Sequence, residues 1–170
     1  MNDLSSLQMD SVETYFGGGH MLRIVEFDKT NWEDALELTV TEEQQGYMPP
    51  VSESLSAAYI KPWDEALDPY IIYDGDVMIG TFYISYTPDS KDNYWLGGFF
   101  IDKKYQRKGY GKNSLIQIIE FVKIKYKKSE QLYLTIVHSN HIARKLYESF
   151  GFKTDGKVNK YDEVIYCLKW

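Results

Sequence analysis

The feature that most constrains this chain is the run Gln106-Arg107-Lys108-Gly109-Tyr110-Gly111, set between a strand-like segment, 95–102, and a helix-like segment, 112–126. Two glycines one residue apart, just ahead of a helix, leave backbone N–H groups bare. These groups carry the partial positive charge of a helix N-terminus. Such a turn binds phosphate, and Arg107, Lys108 and Lys112 add full charges around it. Spacing excludes two other phosphate motifs. A Walker A loop needs glycine where Gln106 stands and Ser or Thr where Asn113 stands, and a dinucleotide fingerprint needs glycine at Ser114. Taken alone, Gly-x-Gly here also reads as a tight turn and nothing more.

Periodicity gives the surroundings. Strand-like runs occupy 22–27, 70–73, 77–86, 95–102, 132–137, 152–158 and 164–170, and Asp74-Gly75-Asp76 reads as a hairpin turn. Amphipathic spacing predicts helices over 31–43, with Trp32, Ala35, Leu36, Thr39 and Val40 on one face, and over 140–150, ended by Gly151. A short helix capped by Ser52 is expected through Tyr59. Gly97 and Gly98 inside a strand predict a bulge. The order β, α, α, β, β, β, α, β, α, β, β suggests an α/β domain, a mixed sheet with helices on both faces.

A second segment narrows the chemistry. Asn140, Ala143, Tyr147, Gly151 and Phe152 fill every position of N-x-x-A-x-x-x-Y-x-x-x-G-F. With the Q-x-x-G-x-G run upstream, the chain from about Met21 to the C-terminus resembles the GNAT N-acetyltransferase superfamily. The resemblance implies that superfamily's acyl-CoA fold: a mostly antiparallel sheet, flanking helices, and two central strands that splay to admit acetyl-CoA as co-substrate. It assigns Gln106, Arg107, Lys108, Gly109, Tyr110, Gly111 and Lys112 to the pyrophosphate, and the backbone of Phe99, Phe100 and Ile101, with Asn140, to the pantetheine arm. Tyr147 becomes the general acid that protonates the departing thiolate, a role a phenol with a pKa near 10 suits. The residues alone leave alternatives: Asn140 is a good helix N-cap, and Tyr147 sits in the apolar register of its helix. The resemblance also implies a carboxylate base on the fourth strand. Gly97 and Gly98 stand there instead, so the base is open, with Glu42 and Glu43 among the candidates.

The stretch around Gln45-x-Tyr47, with WLGGFFIDKKYQRKGYGK, is similar to bacterial spermine/spermidine and diamine acetyltransferases. This implies a primary-amine acceptor of the polyamine class, lined by Glu42, Glu43, Gln45 and Tyr47, and the resemblance also admits a homodimer. Other amines (an antibiotic, a peptide N-terminus) and a non-catalytic CoA-binding sensor are the rival readings. A net charge of −6 argues against a nucleic-acid partner and is compatible with a cationic small molecule. The absence of a long apolar run argues against a membrane span, and a single cysteine, Cys167, points to a reducing cytoplasm. His20, His138 and His141 form no metal-ligand pattern. Residues 1–20, which contain Gly17-Gly18-Gly19, are expected to be a flexible leader or an added segment ahead of one domain, 21–170.

Overall fold

A computed structural model describes the backbone of residues 12–16 and 20–170 and the side chains of 21–170. Seven strands form one sheet in chain order, β1 (Val12–Phe16), β2 (His20–Glu26), β3 (Ala66–Asp74), β4 (Val77–Tyr86), β5 (Tyr94–Ile101), β6 (Gln131–Ile136) and β7 (Val164–Lys169). All neighbours are antiparallel except β5 and β6, which are parallel. The helices are α1 (Trp32–Leu36), α2 (Val51–Ile60), α3 (Tyr110–Lys125) and α4 (His141–Ser149). Within the expected leader, Val12–Phe16 pairs with β2, while residues 1–11 and 17–19 lie outside the described residues.

Alternation along the strands separates two apolar layers. Tyr70, Ile72, Phe82, Ile84, Leu96, Leu132 and Leu134 meet Leu115, Ile118, Phe121 and Val122 of α3 on one face, with Tyr147 of α4. Ile71 and Phe100 meet Ala35, Leu38, Val40 and Val51 on the other. Tyrosines moor α3 at both ends. At its start the Tyr110 hydroxyl donates to Asp74 Oδ2 at 2.6 Å. Just past its end the Tyr126 hydroxyl donates to Asp68 Oδ2 at 2.8 Å and shares a 2.8 Å bond with the Tyr70 hydroxyl.

Three expectations are corrected. The helix expected over 31–43 stops at Leu36 because Thr39 is taken by the two residues that follow β5: its N–H donates to Asp102 Oδ2 and its carbonyl accepts the Lys103 N–H. Trp32 and Leu36, placed on the buried face by periodicity, are exposed, and a 3-10 turn follows at Glu42–Gln44. The second helix begins at Val51 with Pro50, not Ser52, at its cap position, and Tyr59 is 89% exposed. The strand expected over 152–158 is reduced to bridges at Lys153↔Cys167 and Val158↔Val164, because Gly156 turns the chain at φ 85° between them.

The tyrosines set an alkaline limit. Burial pushes the Tyr86 phenol up to about 12, and the hydrogen bond to Asp74, followed by burial, does the same for Tyr110. Both folded-state values lie above the ordinary value near 10, so their stabilising contribution is complete below about pH 10 and lost as pH rises towards about 12. Urea midpoints are expected to stay level from pH 8 to 9.5 and to fall between pH 10 and 12. Tyr110→Phe should flatten part of that fall.

Candidate active site

The site is built around the place where β5 and β6 part. Their parallel pairing is confined to Trp95↔Tyr133, whose rings stack at 4.8 Å. Beyond it the strands diverge, and β5 runs on to Ile101 with β4 as its sole strand partner among the described residues. A bulge shapes this free stretch. Thr81 pairs with Phe100 and Tyr83 with Gly97, so Gly98 and Phe99 oppose Phe82 alone, and Gly98 adopts φ 58°. The expected bulge is therefore present. It resets the alternation, so Phe100 packs under α1 and α2 while Ile101 packs towards α3. The side chains of Phe100 and Ile101 are buried and that of Phe99 packs against the core, while the edge of this stretch away from β4 has no strand partner among the described residues.

The Tyr83 ring occupies the space that a side chain at position 97 would take. A Cβ there would stand 2.1 Å from Tyr83 Cζ, and one on Gly98 would stand 3.0 Å from the same ring and 3.2 Å from Ser54 Oγ of α2. The phenol of Tyr83 is raised by burial and then by the charges of Glu163 and Glu53.

The glycine turn lies at the C-terminal end of β5. Arg107 (φ 61°) and Gly109 (φ 86°) both adopt left-handed backbone, and Gly109 caps α3. The N–H groups of Arg107, Lys108, Gly109, Gly111 and Lys112 have no acceptor among the described residues. Arg107, Lys108 and Lys112 are exposed and form no ion pair there, and Lys108 Nζ lies 5.6 Å over the Tyr105 ring. Gln106 holds the loop: its Nε2 donates to Ile101 O at 2.9 Å and to Gln44 Oε1 at 2.8 Å. Gln44 went unnoticed in the sequence because Glu42, Glu43 and Gln45 around it carried the argument. In the structure Glu42, Glu43 and Gln45 are exposed, Tyr47 is half-buried, and Gln44 makes the contact. Its spacing from Thr41, a capping-box interval, was the available signal, and Gln44 Oε1 also accepts the Thr41 N–H.

On the far lip of the gap, α4 follows β6. Asn140 caps it through Oδ1, which accepts the Ala143 N–H at 3.1 Å, leaving Nδ2 for other use. Tyr147 is buried, packs edge-on to Phe152 at 5.5 Å, and its hydroxyl has no hydrogen-bond partner among the described residues. Burial pushes its phenol well above the ordinary range, so it is protonated at neutral pH, a donor rather than a base.

The model of the acetyltransferase (GNAT) family matches residues 32–152. This chain belongs to the GNAT acetyltransferase family. It is 35% identical over 139 residues, 76% of this chain and 86% of the relative, to the spermine/spermidine N(1)-acetyltransferase of Bacillus subtilis strain 168. A probable spermine N(1)-acetyltransferase of Bacillus subtilis subsp. natto matches over the same shares of the two chains, also at 35%. Among solved structures, an acetyltransferase from Agrobacterium tumefaciens is similar with a TM-score of 0.67 at 10% identity, covering 100% of both chains. An N-acetyltransferase from Thermoplasma acidophilum, solved in complex with coenzyme A, is similar with a TM-score of 0.61 at 14% identity, covering 88% of this chain and 99% of that one. The mixed sheet and flanking helices are those of the family. No helix among the described residues is long and apolar enough to cross a membrane.

One groove, about 630 Å³, lies beside the Trp95–Tyr133 stack and is lined by Lys153, Lys157 and Lys169 against the single carboxylate of Asp155. That charge does not suit a cationic amine.

Gly97→Ala is expected to cost about 1–3 kcal/mol in urea unfolding, by overpacking against Tyr83. In a Tyr83→Ala background the same change should cost under about 0.5 kcal/mol. Equal costs in the two backgrounds would refute the clash.

Proposed function

We propose that this protein moves the acetyl group of acetyl-CoA to a primary amine of the polyamine class by direct attack, with Tyr147 as the general acid. The observation that carries the reading is the glycine turn at the start of α3. It offers N–H groups without acceptors among the described residues and three exposed cations that form no ion pair among them, beside an opened parallel strand pair. An anion with a long arm fits both features. Arg107, Lys108, Gly109, Tyr110, Gly111 and Lys112 would hold the pyrophosphate, with Gln106 fixing the turn. The free backbone of Phe99–Ile101 would receive the pantetheine amides as an added strand would. Asn140 Nδ2 would donate from the opposite lip.

Acetyl-CoA supplies a thioester carbon open to attack. The chain's own part is to orient that carbon, keep water away and deliver a proton. Attack forms the C–N bond and breaks the C–S bond, and the sulfur takes the proton from the Tyr147 hydroxyl. That hydroxyl has no hydrogen-bond partner among the described residues, so none of their bonds has to be given up when it turns to a ligand.

The polyamine part rests on the two Bacillus subtilis relatives. Glu42, Glu43, Gln45 and Tyr47 lie between α1 and α2, on the face away from α3, and are the proposed acceptor contacts. A homodimer belongs to the same proposal and is read by light scattering.

Thiol release from acetyl-CoA should be fastest with spermidine or spermine in a panel that includes an aminoglycoside and a peptide. Preference for the latter two would move the acceptor assignment, and no release with any amine would favour a CoA-binding module. Tyr147→Phe should lower kcat about 10²-fold while the calorimetric Kd for CoA stays within about twofold. An unchanged kcat would remove Tyr147 from the mechanism.

A further inference from the structure

On the reading that an amine attacks a thioester in the β5–β6 gap, we infer that Glu163 accepts the proton released by the attacking nitrogen, from a carboxylate held across that gap from Gly97. Gly97 and Gly98, where a base on β5 would stand, are glycines under the Tyr83 ring, and a Cβ on Gly97 would meet that ring at 2.1 Å. Two residues on from the Trp95↔Tyr133 pair, Gly97 stands on one lip of the gap and Thr135 on the other. Thr135 Oγ1 donates to Glu163 Oε2 at 2.8 Å, and Asn159 Nδ2 donates to the same oxygen at 2.7 Å. The Asn159 side chain also accepts the Glu163 N–H at 3.0 Å. The carboxylate is thus fixed through one oxygen, while Oε1 has no partner among the described residues. Tyr83 pairs with Gly97, two residues from Trp95, and Thr135 is two residues from Tyr133, whose ring stacks on Trp95, so Tyr83 and the Thr135–Glu163 pair share the face from which the amine would come.

The other carboxylates of the region are placed for other work. Asp102 has one oxygen on the Thr39 N–H and the other on the Lys104 N–H. Glu65 is occupied likewise by Ser85 and Asn93, at the closed end of the gap. Glu42 and Glu43 stand exposed on the turn whose Gln44 holds Gln106, and no hydrogen bond among the described residues orients either carboxylate. Glu53 lies exposed on α2. The Tyr83 phenol, raised by burial and two nearby negative charges, holds its proton.

The proton count closes. A primary ammonium sheds one proton to solvent to reach its neutral form, about one part in a thousand near pH 7.4. As the neutral nitrogen bonds to the acetyl carbon it becomes cationic and strongly acidic, and Glu163 takes that proton. The C–S bond breaks, and the sulfur receives the Tyr147 proton. The proton on Glu163 then leaves through solvent and Tyr147 is reprotonated. The products are the acetamide and free CoA thiol, with no oxidation or reduction.

Glu163→Gln is the deciding variant, because the amide oxygen still accepts from Thr135 and Asn159 and so preserves any structural role. It is expected to lower kcat about 10²-fold, with the CoA Kd within about twofold and the spermidine KM within about threefold. Glu163→Asp, with shortened reach, should recover part of the loss. A wild-type kcat in Glu163→Gln overturns the assignment. If that variant does not fold, Thr135→Val is read instead. Loss of the orienting donor should lower kcat about fivefold at unchanged KM, and an unchanged kcat there overturns it equally. Thiol release by the wild-type enzyme is measured first, and its absence would defeat the acetyltransferase reading itself, separately from the role of Glu163.

Discussion

The confinement of β5–β6 pairing to Trp95↔Tyr133 is the constraint on which the rest of this structure depends. A parallel pair that continued would satisfy the edge of β5 internally and leave nothing for a ligand. Here the Trp95–Tyr133 stack closes one end. At the other end the strand is turned away by the Gly98–Phe99 bulge and fastened by Asp102 and Gln106. The opening is thus held from both ends, by a ring contact and by hydrogen bonds to the strand's own termini.

Much of this was legible from short-range patterns. The run around Gly109 and Gly111 marked the start of α3, and the doubled glycine in β5 marked the bulge. Both depend on backbone conformations that few residue types tolerate, so the sequence records them locally. Strand β4 was read with its observed limits, 77–86, because alternation and a hairpin turn bound it. What failed were segments governed by distant partners. Periodicity favoured a long first helix, and Asp102, far along the chain, ends it by claiming Thr39. Glu163 carried no local signal either. Its environment comes from Thr135 on the neighbouring strand and Asn159 in the preceding loop, and sheet pairing alone brings them together.

The two faces of the sheet divide the labour. The α3–α4 side holds the larger apolar layer and the cationic turn. The α1–α2 side is thinner and carries the exposed carboxylates Glu42, Glu43 and Glu53. The exposed carboxylates of the second side favour a cation and the basic turn of the first favours an anion, while the lysines beside the Trp95–Tyr133 stack do not suit a cation. The half-buried Tyr83 ring lies on the second side, where it covers the doubled glycine.

The two moorings of α3, Tyr110 to Asp74 and Tyr126 to Asp68, have a mechanical consequence. A rod clamped at head and tail can neither slide along its axis nor pivot about one end. The amide cluster at its head is therefore a fixed landmark against the sheet, not a flap that closes over a guest. Any accommodation of guests of different length must come from the stretch between α1 and α2, which is tied to the rest of the site through Thr39, on Asp102 and Lys103, and through the Gln44–Gln106 contact.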